Sequence, residues 1–205
     1  MKYGRLLPAE FIDLAEQVEA IDALTAFVID KALQDWQMVT PVTVAVNVSP
    51  RCLNDPKLPQ QIAKLLEARH APPSALALEI TQNLRLSDRA MGCLTRLHEM
   101  GIRLAVDDFG TGPSSLRQLR RLPVDELKLD RSFVADLEMG DDVLLRASVT
   151  LAHNLGLSVV AKGVESEAAR DHLLACDCDG MQGILISKPL PTDEIHLWMM
   201  QHGAV

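Results

Sequence analysis

The chain has 205 residues, 48% apolar and only 3% aromatic, and its 28 acidic against 20 basic side chains give a formal charge of −8. That is enough apolar material for one domain (residues 1–205) with its own core and no staples, and no run nears the ~18 uninterrupted apolar residues of a membrane span. The opening MKYGRLLPAEF lacks a signal-peptide core and the acid excess excludes a general nucleic-acid binder, so the expectation is a cytoplasmic protein without membrane insertion.

In chain order, Pro8 suits a helix start, and Phe11, Leu14, Val18, Ile21, Leu24 and Val28 recur at spacings of three and four. The spacing predicts one long amphipathic surface helix. Six aliphatic runs follow as predicted strands: Val42 to Val48, Ala75 to Ile80, Ile102 to Val106, Val124 to Leu129, Leu157 to Ala161 and Gln182 to Ser187. Several are almost continuously apolar, as strands buried on both faces are, and the segments between them are long enough for crossover helices. Gly101 and Gly156 each mark a turn from helix into strand, so a "helix, Gly, strand, polar end" unit occurs twice.

The four cysteines include no CxxC pair and are too sparse for a disulfide framework, so reduced thiols are expected. His172, Cys176 and Cys178 sketch half a metal site. Their spacing matches no structural zinc pattern, no second half is visible, and ordinary packing at a helix end is the expected reading.

Alternating β and α elements allow an open doubly wound sheet or a (β/α)8 barrel. No Gly-rich phosphate loop supports the first. Asn47, Glu79, Asp107 with Asp108, Lys128 with Asp130, and Lys162 fall at or near strand C-terminal ends, while Gln182 opens the sixth strand. A barrel gathers such residues into one ring. An Asp-Asp pair before a Gly turn is ordinarily a turn former, and a lone lysine a solvated strand end. Five strands in succession ending in chelating or charged groups outweigh that reading. Glu79, Asp107, Asp108 and the Asn47 amide make a hard-oxygen set suited to Mg²⁺ or Mn²⁺, with Lys128 placed to orient water or neutralise phosphate.

The residues also match a family. NVSP from Asn47, LEIT from Leu78, DDFGTG from Asp107, PVDELKLDRSFV from Pro123, GVE from Gly163, Gln182-Gly183 and KPL from Lys188 occur in the order of the EAL domain, which the chain resembles from its first helix to about Pro191. The resemblance implies a TIM-like (β/α)8 barrel and a bacterial cyclic-di-GMP phosphodiesterase using two divalent cations. It places Asn47, Glu79, Asp107 and Asp108 at metal-ligand positions, Lys128 at that of a catalytic-water partner, and Gln182 at that of an active-site amide.

The departures set the functional expectation. No Glu-Ala-Leu tripeptide occurs; the sequence begins just after that strand would end, so an incomplete barrel of about six strands, lacking its N-terminal ones, is expected. Lys162 stands where the family has a metal-binding Glu, Gln82 where it has the second acid of Glu-x-Thr-Glu, and Pro113 where an aromatic is common. A lysine among these carboxylates neutralises the cluster. The expectation is a degenerate, inactive site with no cofactor, in a module that works through a protein partner or self-association. One alternative is a non-hydrolysing cyclic-di-GMP sensor holding the nucleotide weakly through Asp130, Gln182 and Pro189. Another is an active enzyme using Mg or Mn. Arg117, Arg120 and Arg121, spaced to share a helix face, read first as a solvated cluster; if the chain has an acidic partner, that face is the candidate contact.

Overall fold

A computed structural model describes residues 8–39, 41–81, 86–112 and 116–202. The expected opening helix is two helices, α1 (Pro8–Gln17) and α2 (Ile21–Val39). The chain breaks at Glu19, which takes φ 57° while Ala20 N–H donates to Ala15 O and Glu19 N–H to Glu16 O. That left-handed cap is normally a glycine's, so the 3.6-residue periodicity runs through it unmarked. The buried stripe of α2 is Ile21, Thr25, Ile29 and Leu33, whereas Leu14, Val18 and Val28 are exposed.

Six strands follow: β1 (Val44–Asn47), β2 (Leu76–Thr81), β3 (Arg103–Phe109), β4 (Glu126–Leu129), β5 (Ser158–Lys162) and β6 (Gly180–Gln182). They form one parallel sheet in chain order, a half-barrel. Helices α3 (Leu58–Ala68), α4 (Asp88–Glu99), α5 (Leu116–Leu119), α6 (Ser132–Glu138), α7 (Val143–Asn154) and α8 (Glu167–Ala175) occupy the crossovers, and α9 (Thr192–Gln201) returns to pack on α2.

The sixth strand ends where sequence had it begin. The apolar run Ile184 to Ile186 is a turn, with Ile184 53% and Ile186 40% exposed. Gly183 sets this course: a Cβ there would fall onto the backbone of Val164, whose N–H donates to Gln182 O and whose carbonyl accepts from Leu185 N–H. Only glycine lets the two segments cross this closely.

The strands are also not buried on both faces. Val46, Leu78, Leu104, Val106, Leu127, Leu129, Val159 and Ala161 make one buried face. The alternate residues, including Glu79, Arg103, Glu126, Lys128, Ser158, Lys162 and Gln182, make a polar inner face that is mostly part-exposed. Runs such as VTVAVNV hide this alternation because their inward positions are Thr, Ala and Asn.

The N-terminal rim is clamped twice by one device. Asp125 Oδ2 accepts from Leu104 N–H (2.8 Å) and its Oδ1 faces His98 Nε2 (3.1 Å). Asp179 Oδ2 likewise accepts from Val159 N–H (2.7 Å) and faces His153 Nε2 (2.9 Å). Each His stands three residues before a left-handed glycine, Gly101 or Gly156.

Candidate functional site

The opposite rim carries the charged cluster. Across β3 and β4, Val106 aligns with Leu127 and Phe109 with Leu129, so β3 passes three residues against two. Asp107 and Asp108 are the extra step, and Asp108 takes φ 54°. Successive strand residues normally point to opposite faces; a bulge with one left-handed residue lets both carboxylates meet one partner. That partner is Lys162, whose Nζ donates to Asp107 Oδ1 (2.8 Å) and Oδ2 (3.0 Å) and to Asp108 Oδ1 (2.8 Å). Burial would lower the Lys162 pKa, but the bonds to Asp107 and Asp108 outweigh it and hold the ammonium above its ordinary value.

A second ion pair lies beside the first. Glu79, buried, accepts from Lys128 Nζ, and Asn47 is exposed at the end of β1 in register with Glu79. Lys128 therefore faces a carboxylate. Beneath it a cavity of about 240 Å³ is lined by Ala45, Ala77, Arg103, Ala105, Glu126 and Lys128. Burial raises the Glu126 pKa against the pull of Lys128 and Arg103.

Gln182 ends β6, exposed and in register with Lys162, so it belongs to the same rim. Asp130 follows β4 and its Oδ1 accepts from Ser132 N–H (2.9 Å), a turn-forming bond at the start of α6. Burial alone would raise its pKa; bonds with Ser132 and Arg131 and the charge of Lys162 bring it below the ordinary value. A groove of about 520 Å³ opens there between Asp130, Arg131, Ser132, Gly163 and Glu165. Pro189 is exposed in the segment after β6. Gln82 and Pro113 lie outside the described residues.

Arg117, Arg120 and Arg121 are all exposed, but they do not share a helix face. The helix α5 is four residues long, and Arg120 and Arg121 lie in the turn after it, where Arg121 N–H donates to Gln118 O and Leu122 N–H to Leu119 O. Pro123 keeps this turn from running on as helix, since it disfavours helix at the preceding residue, Leu122. Sequence reading missed the bulge that unites the two aspartates and the Glu79–Lys128 pair. The adjacency of two charged residues within an apolar strand was the available signal for the bulge.

Among the described residues, no helix is long and apolar enough to cross a membrane. The EAL domain family profile matches residues 2–189. The chain is 34% identical over 203 residues to the bifunctional diguanylate cyclase/cyclic di-GMP phosphodiesterase MucR of Pseudomonas aeruginosa, covering 95% of this chain and 30% of that protein. It is 38% identical over 197 residues to the cyclic di-GMP phosphodiesterase NbdA of the same organism, covering 92% and 25%. The chain thus spans a quarter to a third of the length of these curated relatives. Its fold superimposes on the PaMucR phosphodiesterase in a c-di-GMP complex with a TM-score of 0.86 at 34% identity, over 93% of this chain and 87% of that one. With its half-barrel and its rim of Asn, Glu, Asp-Asp, Lys and Gln, the chain belongs to the EAL domain family.

Proposed function

We propose that the chain is a catalytically inactive EAL domain, acting as a regulatory or protein-interaction module in cyclic-di-GMP signalling. The reading is carried by one observation: the Lys162 ammonium lies on both oxygens of Asp107 and on Asp108. The family implies a pair of divalent cations, and the residues present do not fit them. Glu79 is engaged by Lys128 and the aspartates by Lys162, so three carboxylates and two ammonium groups leave one net negative charge. Hard dications need oxygen ligands whose lone pairs and charge are free to face the ion. Lys162 takes the place of a metal ion and keeps the rim folded without one.

The link to cyclic-di-GMP rests on the relatives, which are named as phosphodiesterases of that dinucleotide. In the same reading, contact with a protein partner or a second copy supplies the output. A second reading, a sensor that binds cyclic-di-GMP without cutting it, is favoured by exposed Gln182, next to Lys162 in register.

The test is cyclic-di-GMP hydrolysis by the chain with Mg²⁺ or Mn²⁺, together with calorimetric titration of the dinucleotide. No turnover and no binding is the expected result. Binding without turnover selects the sensor, and metal-dependent turnover overturns both readings.

A further inference from the structure

The half-site sketched by His172 and Cys176 acquires a second half in the fold. These two residues stand four apart at the end of α8, on one helix face, where Cys176 N–H donates to His172 O and Leu173 O. Asp142, 30 residues before His172, comes in from the start of α7 and accepts from His172 Nε2 at 3.0 Å. One carboxylate oxygen, one imidazole nitrogen and the Cys176 sulfur lie within 4.8 Å of one another. Cys178, which spacing alone had joined to them, lies outside the group.

Two further details, the uncapped helix start and the buried sulfur, separate this arrangement from an ordinary surface ion pair. Asp142 occupies the position before α7 where an aspartate commonly caps helix amides, yet its side chain makes no capping bond. Its Oδ2 instead accepts from both His172 Nε2 and, at 2.6 Å, Arg146 Nε; the latter is an exposed i, i+4 ion pair of the weak kind, which a bound ion would displace. The sulfur comes from a buried residue, while His172 and Asp142 are part-exposed and leave a way in from solvent.

We propose that Asp142, His172 and Cys176 form a binding site for a zinc-class divalent ion, separate from the Asp107–Asp108 rim. A mixed sulfur, nitrogen and oxygen set suits Zn²⁺ or Co²⁺ and disfavours Mg²⁺. Zinc bond lengths of about 2.0–2.3 Å at tetrahedral angles put the donors roughly 3.3–3.6 Å apart, so small rotations of three side chains close the site. The Cys176 thiol releases its proton to solvent, and the proton between His172 Nε2 and Asp142 moves through solvent to Nδ1 of the same ring, leaving the Nε2 lone pair for the ion. Bound there, the ion ties the first turn of α7 to the last turn of α8.

The experiment titrates the full chain with Co²⁺ alone, follows the visible and near-ultraviolet spectrum, and then competes with Zn²⁺ or Mg²⁺. One equivalent of Co²⁺ with a thiolate charge-transfer band is expected, displaced by Zn²⁺ and not by Mg²⁺. The band should vanish in Cys176→Ser and survive in Cys93→Ser. Asp142→Asn and His172→Gln, at part-exposed positions where folding is checked by circular dichroism, should each weaken binding by more than the roughly 10–100-fold that losing a supporting partner costs. A cobalt spectrum without the thiolate band overturns the proposal, as does a band that persists in Cys176→Ser. Unchanged affinity in the folded Asp142→Asn and His172→Gln chains overturns it as well. An ion held at the all-oxygen rim would give no such band, so the outcome is independent of the proposed function.

Discussion

Replacing Lys162 by methionine keeps the unbranched apolar stem, one atom shorter, and removes the one charge that faces both Asp107 and Asp108. At 2.8 Å and an effective dielectric near 20, each contact is worth about 6 kcal/mol before desolvation. The two aspartates differ in what survives that cost. Asp108 is 43% exposed, so its pair behaves as a surface ion pair, worth about 0–1 kcal/mol. Asp107 is 8% exposed, and stranding a buried carboxylate costs about 3–5 kcal/mol. The expected loss is about 3 kcal/mol at neutral pH, or roughly 6–12 °C in melting temperature for a chain of this size. Mn²⁺ should then enter the vacated position and return up to about 2.7 kcal/mol at a hundredfold excess over its Kd. The unsubstituted chain should gain little, because its ammonium already holds those oxygens. Thermal melts of both chains, with and without Mn²⁺, measure these three quantities. Equal stabilisation of the two by Mn²⁺, or a methionine variant that melts with the parent, would refute the idea that Lys162 stands in for a metal ion.

Two more expectations follow from the scaffold. Asp179→Ala leaves the amide of fully buried Val159 without its acceptor, a loss of about 1–3 kcal/mol in denaturant titration. Burial would raise the Asp179 pKa, but His153 and the Val159 amide bring it below 3.8; its stabilisation is therefore complete above that value and lost as pH falls through the lowered one. The alanine variant should show a shallower acid limb, and an unchanged limb would contradict the assignment. Gly183→Ala drives a methyl group onto the Val164 backbone, so β6 should detach. Loss of amide-exchange protection at Val164 and Leu185 is the expected sign, and wild-type protection in that variant would count against the close crossing.

The strands β1 to β5 were legible because aliphatic runs report burial directly, and the rim was legible because charged residues end those runs. What sequence could not show were features set by backbone geometry. Glu19 stops a helix in a conformation usually reserved for glycine, and Gly183 turns an apolar run away from the sheet through a contact with Val164. The attraction of Lys162 to the aspartates was foreseeable from charge. That one nitrogen reaches three oxygens depended on a bulge that leaves no mark in composition. Asp142 was invisible as a partner of His172 and Cys176 because only the fold, which brings the start of α7 beside the end of α8, sets them together.

The two Asp–His clamps lie at the start of β3 and β5, and the charged rim lies where those same strands finish. Foundation and chemistry thus occupy opposite ends of each strand and share almost no side chains. A fold arranged this way can change the residues at its rim without disturbing the bonds that seat its strands.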